Sequence, residues 1–147
     1  MPALARAQAP LALGLTHLFP DAATLADKPA DGIGLTAARV RAIQALGRLI
    51  HERPDHLRDS PDADSAIRDL CALPGIGRWT AEYMVMRGRS ERDVFLAGDL
   101  VARKALAPRA EPGTLPSEKT VRSRAEAWQP WRSYALLYLW TVTPAGE

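Results

Sequence analysis

Residues 66–82 read AIRDLCALPGIGRWTAE, a helical stretch, a Pro-Gly-Ile-Gly turn and a second helical stretch. Pro74 stops the first helix, because proline disfavours helical geometry in the residue before it. Gly75 and Gly77 take side chains away from a place where a ligand can approach the backbone. The next helix starts at Arg78 with N–H groups that lack intrahelical partners and with the positive end of its dipole, a combination that receives phosphate. Ile76, between the glycines, plugs back toward the helices and holds the turn rigid. On the residues alone, the same turn reads equally as an ordinary helix–loop–helix corner.

Working outward, Gly and Pro punctuate the chain at helical intervals, and the expected fold class is all-α. In 36–52, Thr36 is a natural N-cap, and Val40, Ile43, Leu46, Leu49 and Ile50 form one apolar stripe. In 62–71, Asp62 and Asp64 suit a helix start, and Ile67, Leu70 and Cys71 supply the apolar face. RWTAEYMVMRG at 78–88 predicts a helix that Gly88 closes in a left-handed C′ position. Segments 99–106 and 117–128 predict two more. WRSYALLYLWTV at 131–142 is apolar on nearly every side from Tyr134 to Val142, which predicts a helix packed in the interior and stopped by Pro144. The Pro-rich stretch 108–116 reads as a loop, and the first 20 residues carry the least pattern. No strand-like alternation and no repeat is present.

At 147 residues, 47% hydrophobic and 24% charged, the chain has the size and composition of one globular domain. No apolar run is long enough to span a bilayer, and Arg6 and Pro10 interrupt the N-terminal run, so neither a membrane association nor a secretory signal is expected. Cys71 is the single cysteine, which excludes an intramolecular disulfide, a Cys-rich zinc site and a four-cysteine iron–sulfur cluster, and fits a reducing cytoplasm. His17, His51 and His56 have no metal-site spacing. Residues 1–77 hold 8 Lys/Arg against 9 Asp/Glu, and residues 78–147 hold 11 against 8. A polyanion would favour the second half, although charges this few also suit a solvated surface.

Asp99 stands immediately before the helical stretch LVARKAL, where capping is its ordinary role. A carboxylate held there is also aimed outward from a rigid element, so capping and chemistry coexist. Asp93 is the alternative acid, but it precedes Val94-Phe95-Leu96 rather than a helix start, and Gly98 gives Asp99 no acidic neighbour along the chain. Trp79 and Tyr83 are four apart on one helix face. Trp140, inside an apolar run, reads as core as readily as pocket wall, and Trp128 and Trp131 read as structural.

LPGIGRWTAEY resembles the hairpin of the helix-hairpin-helix DNA glycosylase superfamily. DVFLAGDLVARKAL resembles the segment carrying that superfamily's catalytic aspartate, and WQPWRSYALLYLW is similar to the closing helix of its bacterial 3-methyladenine branch; GLTHLFPDAATLAD resembles the branch more weakly. Together these stretches cover about half the chain.

The resemblance implies an all-α helix-hairpin-helix glycosylase fold, acting as a monomer on double-stranded DNA from which a damaged base is flipped out. It implies hydrolysis of the bond between an alkylated purine and its deoxyribose, with Asp99 stabilising the charge that grows on the sugar. Trp79, Tyr83 and Trp140 would surround the flipped base, whose positive charge an aromatic face attracts. Gly75, Gly77 and Thr80 would bind DNA phosphate, and carbonyls of Cys71, Leu73 and Ile76 would hold a monovalent Na+ or K+ ion. Members that also cut the strand use a lysine at the Trp79 position to form a Schiff base, so hydrolysis alone is expected here. No other cofactor is implied. In the family, several helices and often a β-rich domain stand upstream of the region that Met1 begins, so a truncated or partial domain is expected. The competing readings are a non-catalytic hairpin DNA-binding module and a helical interaction domain without nucleic acid.

Overall fold

A computed structural model describes residues 18–28, 34–108 and 113–142. The described residues are helical and contain no strand. The chain divides into two compact units, Met1–Ser60 with Asp69–Ile76, and Pro61–Arg68 with Gly77–Glu147.

The first unit carries α1 (Ala22–Asp27), α2 (Ala37–Glu52) and α3 (His56–Asp59). Asp21 caps α1 by accepting from Thr24 N, and Thr36 caps α2 by accepting from Arg39 N, as its sequence position predicts. Neither α1 nor α3 stands out in the sequence, because six and four residues are too few to show a periodic stripe. Gly47 explains how α1 approaches α2. A Cβ there would lie 2.7 Å from Ala26 N, so only glycine permits the crossing, and Arg48 Nη1 seals it by donating to Ala26 O at 3.3 Å. Ala26, Ala45 and Leu49 are buried.

The helix α4 (Ala63–Cys71) starts in the second unit and ends in the first. Asp62 caps it by accepting from Ser65 N at 2.7 Å, and that bond holds the Asp62 carboxyl below its ordinary range. Ala66, Ile67 and Leu70 are buried, whereas Cys71 is exposed, contrary to its expected place on the apolar face. The stripe shifts by one residue because Ala66, not Cys71, shares the inward face with Leu70 and Ile67.

The second unit continues with α5 (Arg78–Gly88), α6 (Leu100–Ala105), α7 (Glu118–Ala125), a 3-10 turn (Glu126–Trp128) and α8 (Arg132–Val142). Its core includes Val85, Leu96, Val121 and Leu136, with the Phe95 and Trp128 rings 5.6 Å apart. Two expectations are corrected. Gly88 is the last helical residue of α5, and the left-handed position is taken by Ser90 at φ 54°, while Glu91 N reaches back to Met86 O at 3.1 Å. This is the Schellman closure expected of a C-terminus, displaced by two residues because Arg89 stays right-handed. Nor is α8 an interior helix: Ser133 and Leu136 are buried, but Tyr134 and Tyr138 are 59% and 66% exposed. Apolar composition on every side does not bury a helix unless other elements cover each side.

Candidate active site

The loop that carries Asp99 is anchored at the start of α8. Ser133 N donates to Arg92 O at 3.0 Å, and the Ser133 hydroxyl accepts from Val94 N at 3.0 Å while its proton faces Glu91 O and Val94 O at 2.7 and 2.9 Å. Arg132 grips both carboxylate oxygens of Asp93, at 2.7 and 3.0 Å. Hydrogen bonding from Arg132 holds the Asp93 carboxyl below its ordinary range, and this residue is a structural clamp rather than a free acid. Val94, Phe95, Leu96 and Ala97 then run buried into the core and deliver Asp99 to the head of α6.

Asp99 is 8% exposed and accepts three N–H bonds. Ala102 N donates to Oδ1 at 2.9 Å, which is the capping bond expected from sequence. Trp140 Nε1 donates to the same Oδ1 at 2.9 Å, and Trp79 Nε1 donates to Oδ2 at 3.0 Å. An ionised carboxylate offers about four lone-pair sites. Three are occupied by fixed donors, and the remaining one belongs to Oδ2.

Tyr83 joins the two indoles. Its ring stacks on Trp79 with centroids 5.5 Å apart and planes 12° apart, and lies 6.3 Å from Trp140 at 34°. The second unit therefore brings together the acid and all three aromatic residues singled out from the sequence. Trp79, on the first turn of α5, is 44% exposed and forms the open edge of the cluster.

Sequence reasoning misses one neighbour. Along the chain Gly98 gives Asp99 no adjacent acid, but in space the first turn of α7 places the Glu118 carboxylate against that glycine, with Oε1 3.0 Å from where a Cβ would stand. The helical signature of α7 is the only trace of this in the sequence, because the approach is made between elements 20 residues apart.

The hairpin residues are placed individually. Gly75 has φ +81°, a conformation that L side chains rarely adopt, and a Cβ on it would meet Ala42 Cβ at 3.0 Å. Ile76 is buried, and its N–H closes the turn onto Leu73 O at 3.3 Å. Gly77 is the extended N-cap of α5 at φ −85°, with no side-chain cap and open space where a Cβ would be. The first amides of α5 thus face no capping oxygen. Thr80 is exposed on the same first turn.

A cavity of about 350 Å³ in the second unit lies around Arg78, Glu82, Asp93, Arg122 and Arg132, away from the indole cluster. Its charges are already paired: buried Glu82 receives Arg78 at 2.8 Å and Arg122 at 3.2 Å. It reads as a polar seam that ties helices together. Among the described residues, no group of three or more His, Cys, Asp or Glu could hold a metal ion, and no helix is long and apolar enough to cross a membrane.

No family model matches the chain. It is 37% identical over 108 residues to DNA-3-methyladenine glycosylase 2 of Escherichia coli, a match covering 74% of this chain and 36% of that protein. It is 39% identical over 129 residues to a probable bifunctional transcriptional activator/DNA repair enzyme of Mycobacterium tuberculosis, covering 87% of this chain and 25% of that one. Among solved structures, the 3-methyladenine DNA glycosylase of Schizosaccharomyces pombe in complex with abasic DNA superposes with a TM-score of 0.74 at 21% identity, covering 87% of this chain and 67% of that one. The chain thus spans about a quarter to a third of the length of the curated relatives it matches.

Proposed function

We propose that this chain, which over part of their length is similar to DNA-3-methyladenine glycosylase 2 of Escherichia coli and to the Mycobacterium tuberculosis DNA repair enzyme, hydrolyses the N-glycosidic bond of alkylated purines in duplex DNA. The observation that carries this reading is the Asp99 carboxylate, buried at a helix start, held by three N–H donors and ringed by aromatic side chains.

As the bond to the base stretches, positive charge grows on the deoxyribose. A carboxylate that is already oriented needs no reorganisation to stabilise that charge. The free lone pair of Oδ2 is the acceptor that meets the sugar cation or orients the attacking water. Alkylation makes the purine cationic, hence a good leaving group, and gives it an attraction to the Trp79, Tyr83 and Trp140 cluster of about 0.5–2 kcal/mol per contact. With an indole rather than an amine at position 79, no Schiff base forms there and the reaction stops at the abasic site.

Double-stranded DNA with a flipped base is the proposed partner. Phosphate would be received by the Gly77 cap and Thr80 at the start of α5, and Gly75 is the other hairpin residue proposed to contact it. Carbonyls of Cys71, Leu73 and Ile76 would supply the oxygens for a Na+ or K+ ion, hard cations that oxygen donors suit, with Leu73 O also accepting the turn hydrogen bond from Ile76 N. We assign the chain to a cytoplasmic monomer.

Base release from N-methylated duplex DNA tests the proposal. The chain is expected to release methylpurine, and Asp99→Asn to lose at least a hundredfold in rate while still binding DNA. Equal release by both would remove Asp99 from the mechanism. Binding without release by the unsubstituted chain would leave the non-catalytic hairpin module standing instead.

A further inference from the structure

Trp79 and Trp140 stand in the proposed site as walls for a base, but their polar edges point elsewhere. Both indole N–H groups are aimed at Asp99, at 3.0 and 2.9 Å, from residues 20 and 41 positions away in the chain. Inserting a base between two rings needs two van der Waals separations of roughly 3.5 Å each, about 7 Å in all. Trp79 and Tyr83 are stacked at 5.5 Å, and Tyr83 and Trp140 are 6.3 Å apart, so neither pair is a slot. Trp79 is the most exposed of the three rings, and Tyr83 and Trp140 are partly buried.

The carboxylate also needs more than its capping bond. Ala102 N fixes one oxygen, but an Asp terminal torsion is broad and leaves the second oxygen free to swing. A donor on each oxygen from two different helices removes that freedom. Trp79 on α5 holds Oδ2, and Trp140 on α8 adds a second bond to Oδ1.

We propose that Trp79 and Trp140 are positioning residues that act through Asp99, their indole N–H groups locking the carboxylate so that the single open lone pair of Oδ2 faces the reacting sugar. This rests on the reading of Asp99 as the catalytic carboxylate, and it separates two uses of one side chain: the ring face recognises the base, and the N–H sets the acid.

Phe substitutions keep an aromatic face, on a smaller ring, and delete the donor. In single-turnover assays on methylated duplex DNA, Trp79→Phe and Trp140→Phe are expected to lower the rate roughly ten- to a hundredfold each, the range caused by small misplacements, with KM within about twofold. In an Asp99→Asn background the same substitutions should change the residual rate by less than about twofold, because groups acting through one residue are not additive. A raised KM with unchanged rate, or a full effect of the Phe variants without Asp99, would overturn the inference. If the unsubstituted chain releases no base, the functional proposal fails on its own, and indole ¹H–¹⁵N resonances decide the inference. Those of Trp79 and Trp140 should move in Asp99→Asn while Trp128 and Trp131 stay; unmoved Trp79 and Trp140 signals would overturn it.

Discussion

The carboxylate of Glu118 lies against Gly98, its Oε1 3.0 Å from the position a Cβ would take, and so supplies a second acid beside the residue that precedes Asp99. Glu118 is exposed, and its charge acts on the site through solvent. Exposed charges at such range contribute about 0.2–1 kcal/mol and are screened by salt. Glu118→Gln is therefore expected to slow base release by about 1.4- to fivefold at low salt, and to have no measurable effect near 1 M salt. A salt-independent loss would give Glu118 a direct role instead.

The ion pair of Asp93 with Arg132 makes acid stability depend in part on this carboxylate, beside the capping carboxylates Asp21 and Asp62, whose pKa values are lowered too. The Asp93 pKa is lowered in the fold, chiefly by hydrogen bonding from Arg132. Its contribution is present above the ordinary carboxylate pKa and is lost as pH falls through the lower folded value. Asp93→Asn should lower neutral-pH stability by about 1 kcal/mol and flatten the loss of stability below about pH 4. Thermal melts of both proteins across pH 2–7 measure this. Parallel curves would mean that Asp93 is not the group responsible.

The two hairpin glycines should separate folding from binding. Gly75→Ala meets both φ +81° and Ala42 Cβ, and is expected to cost about 1–2 kcal/mol. Gly77 is extended and open, so Gly77→Asp fits sterically, and an aspartate at that N-cap stabilises α5. Its carboxylate would occupy the proposed phosphate position. The expected result is a melting temperature equal to or above that of the unsubstituted chain together with lost DNA affinity, read by calorimetry and fluorescence anisotropy. Unchanged affinity would remove the hairpin from DNA binding.

Gly47→Ala sets helix propensity against packing. Alanine favours the interior of α2 by about 1 kcal/mol. Its Cβ would stand 2.7 Å from Ala26 N, a backbone atom that cannot rotate away. Overpacking of about 1–3 kcal/mol should outweigh the gain. A denaturant midpoint lower than that of the unsubstituted chain is expected; a higher one would show that α1 yields easily.

The helices of the chain were legible wherever the local signal was complete within the element. Thr36, Asp62 and Asp99 each cap the helix whose start their position marks, and α5 begins at Arg78 as the turn chemistry requires. Capping and punctuation are contacts over three or four residues, so a linear sequence records them. The exposed side of α8 was not legible, since the pattern Tyr134 to Val142 shows what each residue prefers and not what covers it. Nor was the Schellman turn at Ser90, because serine carries no preference strong enough to announce a left-handed position.

The site divides in the same way. By itself the sequence determined that Asp99 caps a helix and that Trp79 and Tyr83 share a face of the helix after the hairpin, since both follow from spacing. Only the tertiary structure decided that Trp79, Trp140 and Ala102 converge on one carboxylate, that Glu118 fills the room left by Gly98, and that Asp93 is taken by Arg132. The reason is range: a cap is made within one turn of backbone, whereas an indole N–H finds its acceptor only where packing of α5, α6 and α8 brings distant residues within 3 Å.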